Sequence, residues 1–142
     1  MRQVKHLLDI KGNDIYAIAP EVPVLEAIKH MAERRVGALL VMRGEQLIGI
    51  VSERDYARKV ILQGRSSAQT AVSEIMSSPL LTVTPETDVF DCMRLCTESR
   101  IRHLPVVQGS RVLGVISIGD LVKEVISAQA EQIDQLQRYI TS

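Results

Sequence analysis

Apolar residues recur at positions 24, 27, 28 and 31 and again at 89, 92, 93 and 96, the i, i+3, i+4, i+7 spacing that gives a helix one apolar face. Ahead of each lies a short extended piece ending in proline, YAIAP at 16–20 and LTVTP at 81–85. Proline disfavours helix in the residue before it, so both pieces read as strands that stop there. Pro23 suits the first position of one helix, and Thr87 suits the N-cap of the other. Two apolar runs then follow each helix, VGALLVM and LIGIVS in one place, HLPVV and VLGVIS in the other. Their connections, RGEQ and QGSR, are short and contain glycine, as a hairpin requires. A second helix starts at Ser-x-x-Asp and runs through YARKVILQ or LVKEVISAQ. The order strand, helix, strand, strand, helix therefore occurs twice.

Sliding the sequence by 65 aligns residues 17–56 with 82–121 without a gap, and 11 of those 40 columns are identical. Among the identities are Arg35/Arg100, Gly44/Gly109, Gly49/Gly114, Ser52/Ser117 and Asp55/Asp120. Most of the rest exchange one apolar type for another, which points to two copies of one unit. A three-stranded sheet with one buried face is marginal alone, so the two units are expected to pack together in an α+β fold of two β-α-β-β-α repeats. The expected boundaries are 8–64 for the first repeat, 65–78 for a linker with a short helical VSEIM, 79–128 for the second repeat and 129–142 for a helical extension. Val122, Val125, Ile126, Ile133, Leu136 and Ile140 would give the last helix a spare apolar face, and a homodimer is expected there.

The 142 residues are 46% apolar, enough for one buried core. Lys+Arg and Asp+Glu both number 17, so no basic excess draws the chain to nucleic acid or an anionic membrane. The apolar runs fall far short of the roughly 20 residues that span a bilayer, and the polar N-terminus lacks a signal-peptide core, so a cytoplasmic protein is expected. Cys92 and Cys96 lie one helical turn apart, where they read as a redox pair or as small core residues. Three scattered histidines form no metal-ligand pattern, and there is no phosphate-binding loop or nucleophile elbow, so neither a metal nor catalysis is expected.

The chemistry left over is the Ser-x-x-Asp that closes GIVSERD at 49–55 and GVISIGD at 114–120. Alone, the motif is an N-cap whose carboxylate reaches back to the cap amide. Its recurrence with different residues in between, Glu53-Arg54 against Ile118-Gly119, points to the pair itself. A helix start directly after a buried strand also offers N–H groups to a phosphate, and a carboxylate can accept from two ribose hydroxyls. Capping and ligand holding both stay open.

On these residues, and on LLTVTPETDVFDCMRL, IRHLPVV and GVISIGDLV with their first-copy counterparts, the unit resembles the CBS (cystathionine β-synthase) domain. The tandem, over about residues 8 to 128, is similar to the pair called a Bateman module. The resemblance implies two repeats packed through their sheets with pseudo-two-fold symmetry, and an adenosine ligand such as AMP, ATP, NAD or S-adenosylmethionine in clefts between them. It implies that Asp120 holds a ribose and Ser117 lies near phosphate, with walls from Tyr16, Ala17, Ile18, Gly37 and Ala38. The other cleft would use Asp55 and Ser52 with Thr82, Val83, Thr84, Arg102 and His103. Arg54, Arg58, Lys59, Arg102 and His103 are the candidate phosphate cations, to be weighed against a solvated face. They cluster around the first-copy motif, so the hand on Asp55 is expected to bind a phosphate-rich ligand more tightly. Tyr16 is a candidate stacking platform or simply a packed residue, and His6 and His30 read as surface residues. The expected function is a nucleotide-sensing regulatory module reporting to a separate effector protein; the alternative is a structural or oligomerisation module whose Ser-x-x-Asp motifs only cap.

Overall fold

The structure, a computed structural model, describes residues 2–12, 14–78 and 81–141. Pro79, where the second repeat is expected to open, and Ser142, at the end of the extension, lie outside the described residues. Helix α1 (Val4–Lys11) comes first. The first repeat follows as β1 (Ala17–Ile18), α2 (Val24–Arg34), β2 (Ala38–Arg43), β3 (Gln46–Ser52) and α3 (Glu53–Tyr56), which passes into a π-helical turn over Ala57–Ile61. After a 3-10 turn at Val72–Glu74, the second repeat runs α4 (Val89–Ser99), β4 (His103–Gln108), β5 (Arg111–Ser117) and α5 (Ile118–Thr141). This is the expected α+β order, with two short sheets.

The repeat holds at the level of register. In the first copy β1 runs parallel to β2 with Ile18 opposite Val41, and β2 pairs antiparallel with β3. In the second, Val83 forms a single parallel bridge to Val106, the same two columns 65 residues on. The expected LTVTP strand is thus one residue of pairing, while YAIAP is two.

Two compact units cut across the chain order. One gathers the described residues of 1–13, 82–109 and 113–142, and the other those of 14–81 and 110–112. In the first of these, Val4, Leu7 and Leu8 of α1 join Val89, Cys92, Cys96, Leu104, Ile116 and Leu121 in one core. The segment is tied down by Val4 N–H to Thr87 O and Lys5 N–H to Pro85 O, both 2.9 Å, while Val89 N–H donates to Arg2 O at 3.0 Å. In the other unit Val72 and Ile75 join Val24, Ala27, Met31, Leu39, Val41 and Val51. There Val72 N–H donates to Val22 O and Ser73 N–H to Pro20 O, both at 2.9 Å, and Val24 N–H donates to Thr70 O at 2.8 Å. Columns 20, 22 and 24 match 85, 87 and 89, so the segment preceding each repeat packs on the other repeat in the same way. The glycines of the two repeated β-strands make room for it. A Cβ on Gly49 would stand 2.6 Å from Met76 Sδ, and one on Gly114 would stand 3.0 Å from Leu8 Cδ2.

The helix ends correct the expected caps by one residue. Pro23 is itself the N-cap of α2, and its helix draws on backbone carbonyls, with Leu25 N–H reaching Ser67 O at 3.0 Å. Asp88, not Thr87, caps α4 by accepting from Phe90 N–H at 2.7 Å. Thr87 Oγ1 instead accepts from Thr84 N–H at 3.0 Å. Asp88 stands one residue nearer the helix, where its carboxylate reaches an amide of the first turn that has no partner within the helix. At the C-terminal ends Arg35 and Arg100 take left-handed conformations, with φ of 56° and 55°. Val36 N–H donates to Met31 O and Ile101 N–H to Cys96 O, both at 3.1 Å, the six-to-one bond that closes a helix around such a residue.

Of the six apolar positions expected to form a spare face on α5, Val125 packs against the core instead. Ile126, Ile133, Leu136 and Ile140 are 56–79% exposed. Among the described residues no helix is long and apolar enough to cross a membrane.

Candidate functional site

Both Ser-x-x-Asp motifs are caps, and they are the same cap. Ser52 N–H donates to Asp55 Oδ2 at 2.9 Å and Asp55 N–H to Ser52 Oγ at 3.2 Å. Ser117 N–H donates to Asp120 Oδ2 at 2.8 Å and Asp120 N–H to Ser117 Oγ at 3.2 Å. The strand entering each hairpin steadies the turn, because Glu53 N–H donates to Gly37 O at 3.0 Å and Ile118 N–H to Arg102 O at 2.8 Å. Gly37 and Arg102 are 65 apart, so each hand is built from the same columns. Both carboxylates are largely sheltered, with side chains 15% exposed at Asp55 and 25% at Asp120.

The structure brings Tyr16, Ala17, Ile18, Gly37, Ala38, Ser52 and Asp55 to one end of the first sheet. Leu40 N–H bonds Tyr16 O at 3.0 Å, and Ala38 lies opposite Ser52. All of these are half-buried. Arg54 is half-buried beside them and Arg58 is exposed. Tyr16 already has company: the Arg34 guanidinium stands 5.4 Å from its ring centre, and His30 meets it edge-on at 6.3 Å. His30 is therefore not a bare surface residue.

In the other unit, Thr82, Val83, Thr84, Arg102 and His103 share their fold with Ser117 and Asp120. Val83 is 4% exposed in the core, with its N–H on Pro105 O at 3.0 Å and its C=O accepting from Val107 N–H at 2.8 Å. Its side chain and backbone are thus spent on the sheet, and the exposed positions are Thr82, Thr84 and Arg102.

Two lysines complete the hands. Lys59 Nζ lies 3.5 Å from Asp55 Oδ1 and donates to Ile75 O at 2.9 Å. Lys11, outside the repeat, donates to Asp120 Oδ2 at 2.6 Å and to Val115 O at 2.8 Å. Cations therefore do not gather only at the first-copy motif, as the sequence led us to expect, since α1 brings one to the second. Lys11 escaped the sequence because its partner is 109 residues away and no repeat column contains it. One signal was present: the column of Lys59 holds Glu124 in the second copy, so that hand needed its cation from elsewhere. Glu124 is buried and faces Arg2, with Nε 2.9 Å from Oε1. The guanidinium N–H does not point at that oxygen, which makes no hydrogen bond among the described residues.

These charges act on one another. Burial raises the Asp120 carboxyl, but the Lys11 and Ser117 donors outweigh it and hold it below the ordinary aspartate range. Burial, reinforced by the nearby Lys11 charge, lowers His103 against the opposing pull of Asp120. Cys92 and Cys96 are free and buried, and burial pushes Cys92 up to about 11 and Cys96 upward as well. Among the described residues no three His, Cys, Asp or Glu side chains converge as a metal-binding group. A cavity of about 550 Å³ is lined by Arg2, His6, Phe90 and Glu124, and its lining includes neither Ser117 nor Asp120.

Comparison with known proteins agrees with this architecture. The pattern of the CBS domain matches residues 7–61 and 72–127. The CBS domain-containing protein CBSX3, mitochondrial, of Arabidopsis thaliana is 48% identical over 122 residues, which cover 82% of this chain and 59% of that protein. A solved protein with CBS domains from Burkholderia ambifaria MC40-6 is 50% identical with a TM-score of 0.86, over 90% of this chain and 96% of that one. The CBS domain pair of protein MJ0100, solved in complex with 5′-methylthioadenosine and S-adenosyl-L-methionine, shares the fold at 21% identity and a TM-score of 0.79, over 91% and 98% of the two chains. With the unit matched twice, at the two places where the repeat was read, the chain belongs to the CBS domain family as a tandem pair.

Proposed function

We propose that this chain is a regulatory module that binds an adenosine nucleotide, AMP, ATP or NAD, at its two Ser-x-x-Asp hands and reports occupancy to a separate effector protein. The observation that carries the reading is the duplicated hand itself. A cap alone requires only a local Ser and Asp, whereas here the cap, the carbonyl behind it and a lysine beside the carboxylate all recur. A sheltered carboxylate is suited to a ribose diol, and an adjacent ammonium to a phosphate. Asp55 and Asp120 are the ribose residues in this reading, with Ser52 and Ser117 near phosphate. Arg54, Arg58, Arg102, the extended piece at 16–18 and the exposed Thr82 and Thr84 supply the surroundings. CBS pairs are regulatory modules, and we assign this one no reaction of its own. The exposed apolar residues of α5 favour a homodimer as the form that carries the signal.

Calorimetric titration with AMP, ATP and NAD tests the reading on the unaltered chain, Asp55→Ala and Asp120→Ala. We expect two binding events, one lost in each variant. If none of the nucleotides binds, and each variant merely loses about 1 kcal/mol of stability as for a lost cap, the module is structural and the proposal fails.

A further inference from the structure

The Asp120 carboxylate is already engaged by its neighbours. Its Oδ2 accepts from Lys11 Nζ at 2.6 Å and from the Ser117 amide at 2.8 Å. The Lys11 ammonium is fixed from a second side by Val115 O at 2.8 Å, and it comes from α1, which packs in the same unit. Lys59 stands in the corresponding relation to Asp55, again shared with a backbone carbonyl. The two lysines arrive by unrelated routes, one from α1 and one four residues after the aspartate. Such an arrangement selects for the ammonium rather than for the residue that carries it.

We infer that Lys11 determines ligand specificity at the Asp120 hand: ribose hydroxyls displace its ammonium from the carboxylate, and the ligand's phosphate takes that ammonium in exchange. The inference rests on the nucleotide reading above. A diol that bonds both carboxylate oxygens needs Oδ2, which already serves an ammonium and an amide, so a ribose held by both oxygens competes with Lys11. A nucleoside without phosphate breaks the ion pair and leaves the lysine unpaired. A nucleotide re-forms it on its own anion, as a charge-assisted contact. Burial and the neighbouring Lys11 charge disfavour a protonated His103, while Lys11 holds its ammonium against the carboxylate itself. The hand therefore discriminates phosphorylated from unphosphorylated adenosine.

The test compares AMP with adenosine by calorimetry in an Asp55→Ala background, which leaves the Asp120 hand, with Lys11 intact, as Lys11→Met, or as Lys11→Arg. Melting curves confirm that each variant is folded, and Asp55→Asn replaces Asp55→Ala if the latter is not. Lys11→Met is expected to reduce the preference for AMP over adenosine about tenfold, roughly what one charge-assisted hydrogen bond contributes, and Lys11→Arg to restore most of it. An unchanged or increased preference, or an equal loss for both ligands, would overturn the role of Lys11 while leaving the nucleotide reading intact. Binding of neither ligand to the unaltered chain would instead overturn that reading, and this inference with it. Binding to the unaltered chain but not to the folded Asp55 variant would confine the ligand to the other hand and equally remove the role of Lys11.

Discussion

Replacing Arg2 by Met strips the Glu124 carboxylate of the cation that faces it. The side chain of Glu124 is 7% exposed and that of Arg2 is 42% exposed, with 2.9 Å between Nε and Oε1. Removing one partner of a fully buried pair costs about 3–5 kcal/mol, because a desolvated charge is left uncompensated. Here water reaches the pair from the Arg2 side, which lowers the expected cost to about 2 kcal/mol. The backbone of Arg2, whose carbonyl accepts from Val89 N–H, is not altered by the change. Replacing both residues by Met removes the stranded charge and sets two apolar side chains near Val89 and Val125, so the double variant should return to within about 1 kcal/mol of the original. Urea unfolding followed by far-ultraviolet circular dichroism measures all three, with the denaturant slope checked for constancy. A loss under about 0.5 kcal/mol in Arg2→Met, or a double variant no more stable than the single one, would refute the account of Glu124 as a charge that depends on Arg2. Glu131, at 3.8 Å from Arg2 and 64% exposed, should matter little by comparison.

The stability of the chain should fall on acidification in two windows. His103 has its folded value below the ordinary 6.5, so the unfolded chain takes up the proton first and stability drops as pH falls from about 6.5 toward that folded value. Asp120 is likewise depressed below 3.8, so its contribution is complete above that value and is lost as pH falls through its folded one. Melting temperatures from pH 7 to pH 2 check both, and Lys11→Met should weaken the lower window; an unaltered curve would contradict the Lys11 assignment. Cys92 and Cys96 should react slowly with iodoacetamide at pH 7.5 in the native chain and readily in urea, since a buried thiol raised to about 11 offers little thiolate. Fast native labelling, read by intact mass, would show that reading to be wrong. Gly44→Ala and Gly109→Ala, at φ of 63° and 62° with open space around them, should each cost about 1 kcal/mol through backbone strain alone. Equal unfolding midpoints for variant and original would contradict that expectation.

The helices, hairpins and duplicated hands were legible because each rests on local sequence. The α2 and α4 faces follow from apolar spacing, and their buried residues Val24, Ala27 and Met31, and Val89, Cys92 and Cys96, are those the pattern named. The Ser-x-x-Asp caps close within three residues, so sequence distance and spatial distance coincide. Missed features lie where they do not coincide. Val83 looked like a wall residue but faces the core, because its strand piece is a single bridge at the centre of the packing. In the first repeat the second helix is four α-helical residues that widen into a π-helical turn, where the pattern suggested an even helix. The left-handed arginines at 35 and 100 were visible only as identities, since nothing local distinguishes arginine as a helix stop.

The 65-residue repeat, its register columns and the identity of the carboxylate hands were determined by the sequence, because a duplicated pattern carries its own alignment. What only the tertiary structure decided is which segment serves which repeat. Residues 2–11 pack with the second copy and the linker around Val72 with the first, through backbone bonds that any residue but proline could donate and that therefore leave no residue pattern. That exchange carries Arg2 to Glu124, and it carries Lys11 to Asp120, where it sets the charge of the second hand.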